Sequence, residues 1–163
     1  MSSNNYVIKR VWQSLDVATS EKIVNFWLAN GALPNREQAE QRVNQVAFVA
    51  FEGDEVVAVN TAYLQHNPSL DLHFYYLRAF VAEGARQGSL ATQMMMKLQS
   101  TFESLHRDGL ISPAVGLFLE VENIALQRAR NFAIWPNTKF VYVGRNDNGA
   151  EQRVYYFDGV KIS

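Results

Sequence analysis

The alternation of apolar and polar positions changes period several times along the chain, and each change marks an element. Residues 6–12 mix Tyr, Val and Ile with basic residues in the alternating manner of a strand. Thr19-Ser20 then offers a helix start, and Ile23, Val24, Phe26, Trp27 and Leu28 recur at helical spacing until Asn30-Gly31. After Pro34, residues 35–43 are rich in helix formers and almost free of large apolar side chains, which predicts a second, mostly solvated helix. From Val46 the pattern turns to β-branched and aromatic runs over 46–51, 56–64 and 70–81. The turn 52–55 and the break Asn67-Pro68-Ser69 separate them, which predicts a three-strand antiparallel meander.

The third run ends in the short glycine-bearing stretch 82–88. Beyond it, Leu90, Met94, Met95, Leu98, Phe102 and Leu105 at spacings of three and four predict a helix over 89–107, closed by Gly109. Residues 114–121 read as an apolar strand and 123–135 as a helix. Residues 140–145 and 153–157 read as a terminal hairpin across Asn146-Asp147-Asn148-Gly149. The predicted order is β-α-α-β-β-β-α-β-α-β-β, an α/β (α+β) arrangement. Four prolines and nine glycines are scattered singly, with no linker, repeat or charge block, so residues 1–163 read as one domain.

Composition narrows the chemistry. The 163 residues carry a formal net charge of -1 and are 48% hydrophobic, enough for a real core. With no cysteine, a disulfide framework, a thiolate metal site and a cysteine nucleophile are excluded, and a reducing compartment such as the cytoplasm is the expectation. Fifteen basic against sixteen acidic residues provide no bulk cationic field, so neither nucleic acid nor an anionic membrane is an expected partner. Residues 1–5 lack a basic-then-apolar signal, and no apolar run approaches the roughly 18 residues of a membrane span. His66, His73 and His106 show no metal-ligand spacing, and G-x-S-x-G is absent, so neither a metal site nor a serine hydrolase is expected.

The most informative stretch is 81–91, where a strand feeds a tight loop that opens a helix. The first turn of a helix leaves N–H groups without internal partners at the positive end of the macrodipole, so such a loop suits an anion. Gly88, Ser89 and Ala91 are small enough to let one approach, although no Walker or dinucleotide fingerprint is present. Arg86-Gln87-Gly88-Ser89-Leu90-Ala91 resembles the acetyl-CoA pyrophosphate loop Q/R-x-x-G-x-G/A of the GCN5-related N-acetyltransferase (GNAT) superfamily. Arg86 and Ala91 match, and Ser89 stands where the first glycine of the pattern belongs. The resemblance extends over nearly the whole chain through the order of elements.

The resemblance implies a mixed, mostly antiparallel sheet of six to seven strands flanked by about four helices, splayed between its fourth and fifth strands. It implies that acetyl-CoA is the acyl donor and that a primary amine of a small molecule or peptide attacks it directly in a ternary complex. Phe80 and Val81 would pair with the pantetheine arm, Arg86, Gln87, Gly88, Ser89, Leu90 and Ala91 would hold the pyrophosphate, and Asn123 would complete the cofactor site. The usual tyrosine acid of the family, in a pattern N-x-x-A-x-x-L-Y followed by Gly-Phe, is not matched. Counted from Asn123 its position falls on Arg130, and counted from Lys139-Phe140 on Trp135.

Without that tyrosine three readings stay open: another hydroxyl such as Tyr142 protonates the leaving thiolate, the thiolate leaves unaided, or the chain binds CoA without transferring anything. For a general base, Glu120 and Glu122 lie two apart at the end of the fifth strand, hence on one face, beside the expected splay. Tyr63, His66, His73, Phe74, Tyr75, Tyr76 and Arg78 are candidates to line an acceptor pocket, although alternation sends half of them into the core. Val141, Tyr142, Tyr155, Tyr156 and Phe157 make the terminal hairpin apolar enough to pair with a second copy, so a homodimer is an expectation.

Overall fold

A computed structural model describes residues 5–86 and 88–162. Seven strands form one sheet in the order β1-β2-β3-β4-β5-β7-β6, comprising β1 (Val7–Arg10), β2 (Val46–Glu52), β3 (Glu55–Asn67), β4 (Leu72–Val81), β5 (Gly116–Val121), β6 (Val141–Arg145) and β7 (Glu151–Tyr156). Four helices accompany them: α1 (Val17–Ala29), α2 (Arg36–Arg42), α3 (Leu90–Arg107) and α4 (Ile124–Ala129). The predicted order of elements holds throughout. The described chain divides into two compact units, one running to Ala62 and resuming over Arg78–Leu98, the other made of Tyr63–Leu77 and the chain from Gln99 onward.

In the first unit β2 pairs antiparallel with both β1 and β3. Every residue of β2 except Glu52 is buried. Helix α1 presents Ile23, Val24, Phe26 and Trp27 to this surface, where they join Val49, Phe51 and Val59 in one apolar cluster with Leu33, Ala39 and Val43. Asn60 is the polar exception. Its Oδ1 accepts the Phe48 N–H at 2.9 Å, beside the register shift between Val46 and Phe48, and its Nδ2 donates to the Met94 carbonyl at 3.2 Å. The amide thereby supplies hydrogen bonds where the ladder is irregular, as a buried main-chain group requires.

In the second unit β4 and β5 are parallel, from Phe74↔Gly116 to Leu77↔Leu119, and β5 is antiparallel to β7, which is antiparallel to β6. Phe74, Tyr76, Phe118 and Val154 form a cluster on one face, with the Tyr76 and Phe118 rings stacked at 4.4 Å. On the other face Tyr75 meets Phe102 of α3 edge-on at 5.1 Å. Gly116 is required by close approach: a Cβ there would lie 1.9 Å from the Tyr155 carbonyl oxygen.

Several boundaries move. Helix α1 begins at Val17, because Asp16 caps it by accepting the Thr19 N–H; Thr19 lies inside the first turn rather than before it. The strand expected over 6–12 is confined to Val7–Arg10, and β3 runs on to Asn67. The helix expected over 123–135 is only Ile124–Ala129. Its continuation is extended instead: Tyr142 N–H donates to the Ala133 carbonyl, Trp135 N–H donates to Phe140, and Ile134 bridges Val141. The cause is Arg153, whose guanidinium donates to the carbonyls of Arg130, Phe132, Ala133 and Phe140 and so replaces helical bonds over this stretch.

Candidate functional site

The first part of the site is the far end of β4 and the turn beyond it. The register of β4 with β5 ends at Leu77↔Leu119, and β4 continues through Arg78, Ala79, Phe80 and Val81. Arg78 and Ala79, which point to opposite faces by strand alternation, are both exposed. Phe80 is half-buried and sits edge-on to Phe26 at 5.8 Å, so its ring belongs to the core of the first unit. A 3-10 turn over Glu83–Ala85 reverses the chain after Val81. Arg86 then folds back over the strand: its Nε donates to the Val81 carbonyl at 2.9 Å, and its guanidinium lies 5.6 Å from the Phe80 ring centre.

Gly88 adopts φ +99°, a conformation that a side chain would strain, and lets the chain turn into α3. Ser89 is the residue whose carbonyl receives the first helical bond, from Gln93 N–H at 2.8 Å, and its Oγ accepts the Gln93 side-chain amide at 2.7 Å. The N–H groups of Leu90 and Ala91 therefore precede the first helical bond and face outward from the helix end. No acidic residue occupies the first turn of α3, and Gly88, Ser89 and Ala91 are exposed while Leu90 is buried. An anion meets small side chains, main-chain donors and no opposing carboxylate here. Gln87, the remaining candidate of this loop, lies outside the described residues.

The second part of the site is the end of β5. Glu120 is exposed, and its Oε2 accepts the Asn146 side-chain amide at 2.9 Å and the Gln152 side-chain amide at 3.3 Å. Gln152 is its register partner on β7, and Asn146 opens the β6–β7 turn. The turn is itself knitted by Asn146, whose Oδ1 accepts the N–H groups of Asn148 and Ala150, each at 2.9 Å. Strand β5 ends at Val121, so the alternation expected to set Glu120 and Glu122 on one face carries Glu120 alone. Asn123 caps α4, its Oδ1 accepting the Leu126 N–H at 3.1 Å. Gln127, buried, ties this region together by donating to the carbonyls of Val121 and Gly149 while accepting from Arg145.

Tyr142 is not brought to Glu120. Its register partner is Arg153, whereas that of Glu120 is Gln152, so the phenol and the carboxylate lie on opposite faces. Trp135, one of the two positions where the expected acid would fall, donates its indole N–H to the carbonyl of Arg130, the other. Of the aromatic candidates, Tyr63 and Tyr76 meet at 5.6 Å, and Asn67 donates to the Tyr76 hydroxyl. Burial pushes the Tyr76 phenol up, with a smaller contribution from the charge of Glu120. His66 lies 5.1 Å from His73 and 2.8 Å from an Asp71 oxygen. Among the described residues no group of three or more His, Asp or Glu is placed to hold a metal ion.

The functional residues that sequence reasoning misses are Asn146 and Gln152. Asn146 reads only as a turn residue, and Gln152 falls in a gap between turn and strand. Their meeting with Glu120 comes only from the register of β5 on β7.

The sheet order, the parallel β4–β5 pair and the turn into α3 define the fold of the GNAT acetyltransferases. Solved structures with this fold include an acetyltransferase of the GNAT family from Streptococcus pneumoniae, 12% identical over 93% of this chain and 99% of that one, with a TM-score of 0.61. The ribosomal-protein-S5-alanine acetyltransferase of Vibrio fischeri is 12% identical over 99% of this chain and 98% of its own, at 0.61. The polyamine N-acetyltransferase of Drosophila melanogaster is 10% identical over 93% of this chain and 100% of its own, at 0.64. No family sequence model matches the chain, and no curated protein matches it by sequence.

Proposed function

We propose that this protein is an N-acetyltransferase that uses acetyl-CoA to acetylate a primary amine of a small molecule or peptide by direct attack in a ternary complex. The observation that carries this is the run from Arg78–Val81, beyond the register with β5, through the Glu83–Ala85 turn into the open first turn of α3. A strand end that outruns its neighbour suits the amides of a pantetheine arm, and the helix end suits a pyrophosphate. Structural neighbours with acetyltransferase activity in their names support the same class of reaction.

The residues fit the cofactor in a particular way. The N–H groups of Leu90 and Ala91 hold the pyrophosphate, and exposed Ser89 and Gly88 leave it room. The Val81 carbonyl is engaged by Arg86 Nε, so pairing to an arm falls on the main chain before it, and Arg86 also holds the loop against the strand. Bound acetyl-CoA supplies a thioester carbonyl ready for attack by a neutral amine. Glu120 and Glu122, both exposed, are the carboxylates available to take the amine proton through water. Holding amine and donor close does much of the rest.

Calorimetric titration with acetyl-CoA and with CoA tests the proposal. A Kd of about micromolar is expected, lost by more than about tenfold in Ser89→Glu, which sets a carboxylate at the helix end. No heat and no thermal shift with either ligand would overturn the cofactor assignment, because a ligand of the native state must stabilise it. A second reading, a CoA-binding protein without transferase activity, is favoured by one observation: Trp135 and Arg130 are bonded to each other where a phenol acid is expected. Thioester consumption in the presence of primary amines separates the two.

A further inference from the structure

The geometry points to Glu120 as the carboxylate that binds the acceptor, and to a protonated alkylamine as the acceptor class, with Asn146 and Gln152 as its positioning residues. This rests on the proposed transferase function and deepens it. Glu120 is an in-strand residue with a fixed place on β5, and its neighbours hold it by a single oxygen. Oε2 accepts from Asn146 and from Gln152, while no hydrogen bond among the described residues occupies Oε1. Two amide donors on one oxygen fix the plane of the carboxylate and leave the other oxygen directed at solvent. That is how a surface carboxylate is prepared to receive an ammonium group without the entropic cost of ordering a free side chain.

The surroundings add to this. None of the salt bridges formed among the described residues includes Glu120. Its charge is felt by Tyr76, which stacks on Phe118, the residue two before Glu120 on the same face of β5. A carboxylate at the edge of an aromatic cluster favours a cation over a neutral or anionic ligand, since ring faces carry negative potential. Glu122 differs: it lies past the end of β5, before the α4 cap, and no cross-strand partner sets its direction.

The probes are 1,4-diaminobutane and butylamine, with 1-butanol and butanoate as the neutral and anionic controls. Binding is followed on the protein without CoA by NMR titration of side-chain and main-chain resonances, and acetyl-CoA binding is measured separately by calorimetry. The wild type is expected to bind both amines and neither control. Glu120→Gln is expected to weaken amine binding by about tenfold or more, and Glu122→Gln by less than about twofold. Gln152→Leu removes one donor and Asn146→Asp sets a carboxylate against Glu120 while keeping the turn acceptor. Each should raise the amine Kd by about threefold to tenfold, with acetyl-CoA binding and the thermal midpoint unchanged. If turnover is present, the positioning variants should raise KM for the amine more than they lower kcat.

No amine binding by the wild type, equal binding of the alcohol, undiminished binding in Glu120→Gln, or an equal loss in Glu122→Gln would each overturn the assignment. If the amines bind through Glu120 and acetyl-CoA does not bind, the transferase proposal fails while the ammonium site stands.

Discussion

Arg153 is the largest side chain withdrawn from solvent, 1% exposed, and it organises a stretch whose sequence pattern reads as helix. It is paired with Glu151, itself buried, lies 4.5 Å from the Trp135 ring and donates to four carbonyls. Removing one partner of a buried pair strands the other, so Arg153→Ala should lower stability by about 3–5 kcal/mol in urea titration. Arg153→Lys should recover little, because an ammonium cannot serve the same spread of carbonyls. Gly116→Ala should cost about 1–3 kcal/mol, since a Cβ would meet the Tyr155 and Tyr156 main chain, with the urea m-value unchanged. Neither role is visible in the residue types. An arginine in a terminal strand reads as exposed by its chemistry, and a glycine at a strand start reads as a turn remnant; only the neighbours show otherwise.

A third prediction at this scale concerns Tyr155. Burial pushes its phenol up to about 12, and the adjoining Glu103 carboxylate, which accepts its hydrogen bond, adds to the rise. The folded state thus favours the protonated phenol. This contribution to stability is complete below the ordinary tyrosine value, about 10, and is lost as pH rises towards 12. The alkaline limb of the thermal midpoint against pH should therefore flatten in Tyr155→Phe.

Among the elements, the helix starts are the most legible and the helix ends the least. Asn35 accepts the Gln38 N–H and caps α2 where the helix formers begin, so Asn35→Ala should cost about 1 kcal/mol, read as a lower thermal midpoint. Asp16 does the same for α1, and the Thr19 N–H that it accepts holds its carboxyl below the usual carboxylate value. Its contribution is present above the unfolded value, about pH 4, and fades as pH falls through the lower folded value. Asp16→Asn, which keeps the cap and removes the charge, should flatten that acid limb. Periodicity recovers α1, α2 and α3 because each buries one face. It fails for α4, where a run of helix formers from Ile124 continues into residues whose carbonyls are taken by an arginine from β7.

For the molecule as a whole, the seven-strand order and the parallel β4–β5 pair carry the GNAT fold, which the order of elements along the chain already implies. On the proposed function, acetyl-CoA should slow hydrogen exchange at Leu90 and Ala91 and leave the exchange of β6 and β7 unchanged. Equal exchange with and without acetyl-CoA at the start of α3 would place the ligand elsewhere. The loop from Arg86 to Ala91 can be singled out from sequence because an anion site at a helix start depends on small residues in consecutive positions. The acceptor side cannot, because it is assembled from β5, β7 and the β6–β7 turn.

By itself the sequence determined the order and type of nearly every element, the absence of thiol chemistry and the place of the loop before α3. All of these come from periodicity, composition and contiguous residues, which are local. Tertiary structure alone decided that Arg86 would close on the Val81 carbonyl, that Glu120 would be held by Asn146 and Gln152 while Tyr142 faced the other way, and that Arg153 would end α4. Those outcomes depend on strand register and on the search of buried donors and acceptors for partners, and both are settled only when distant segments meet.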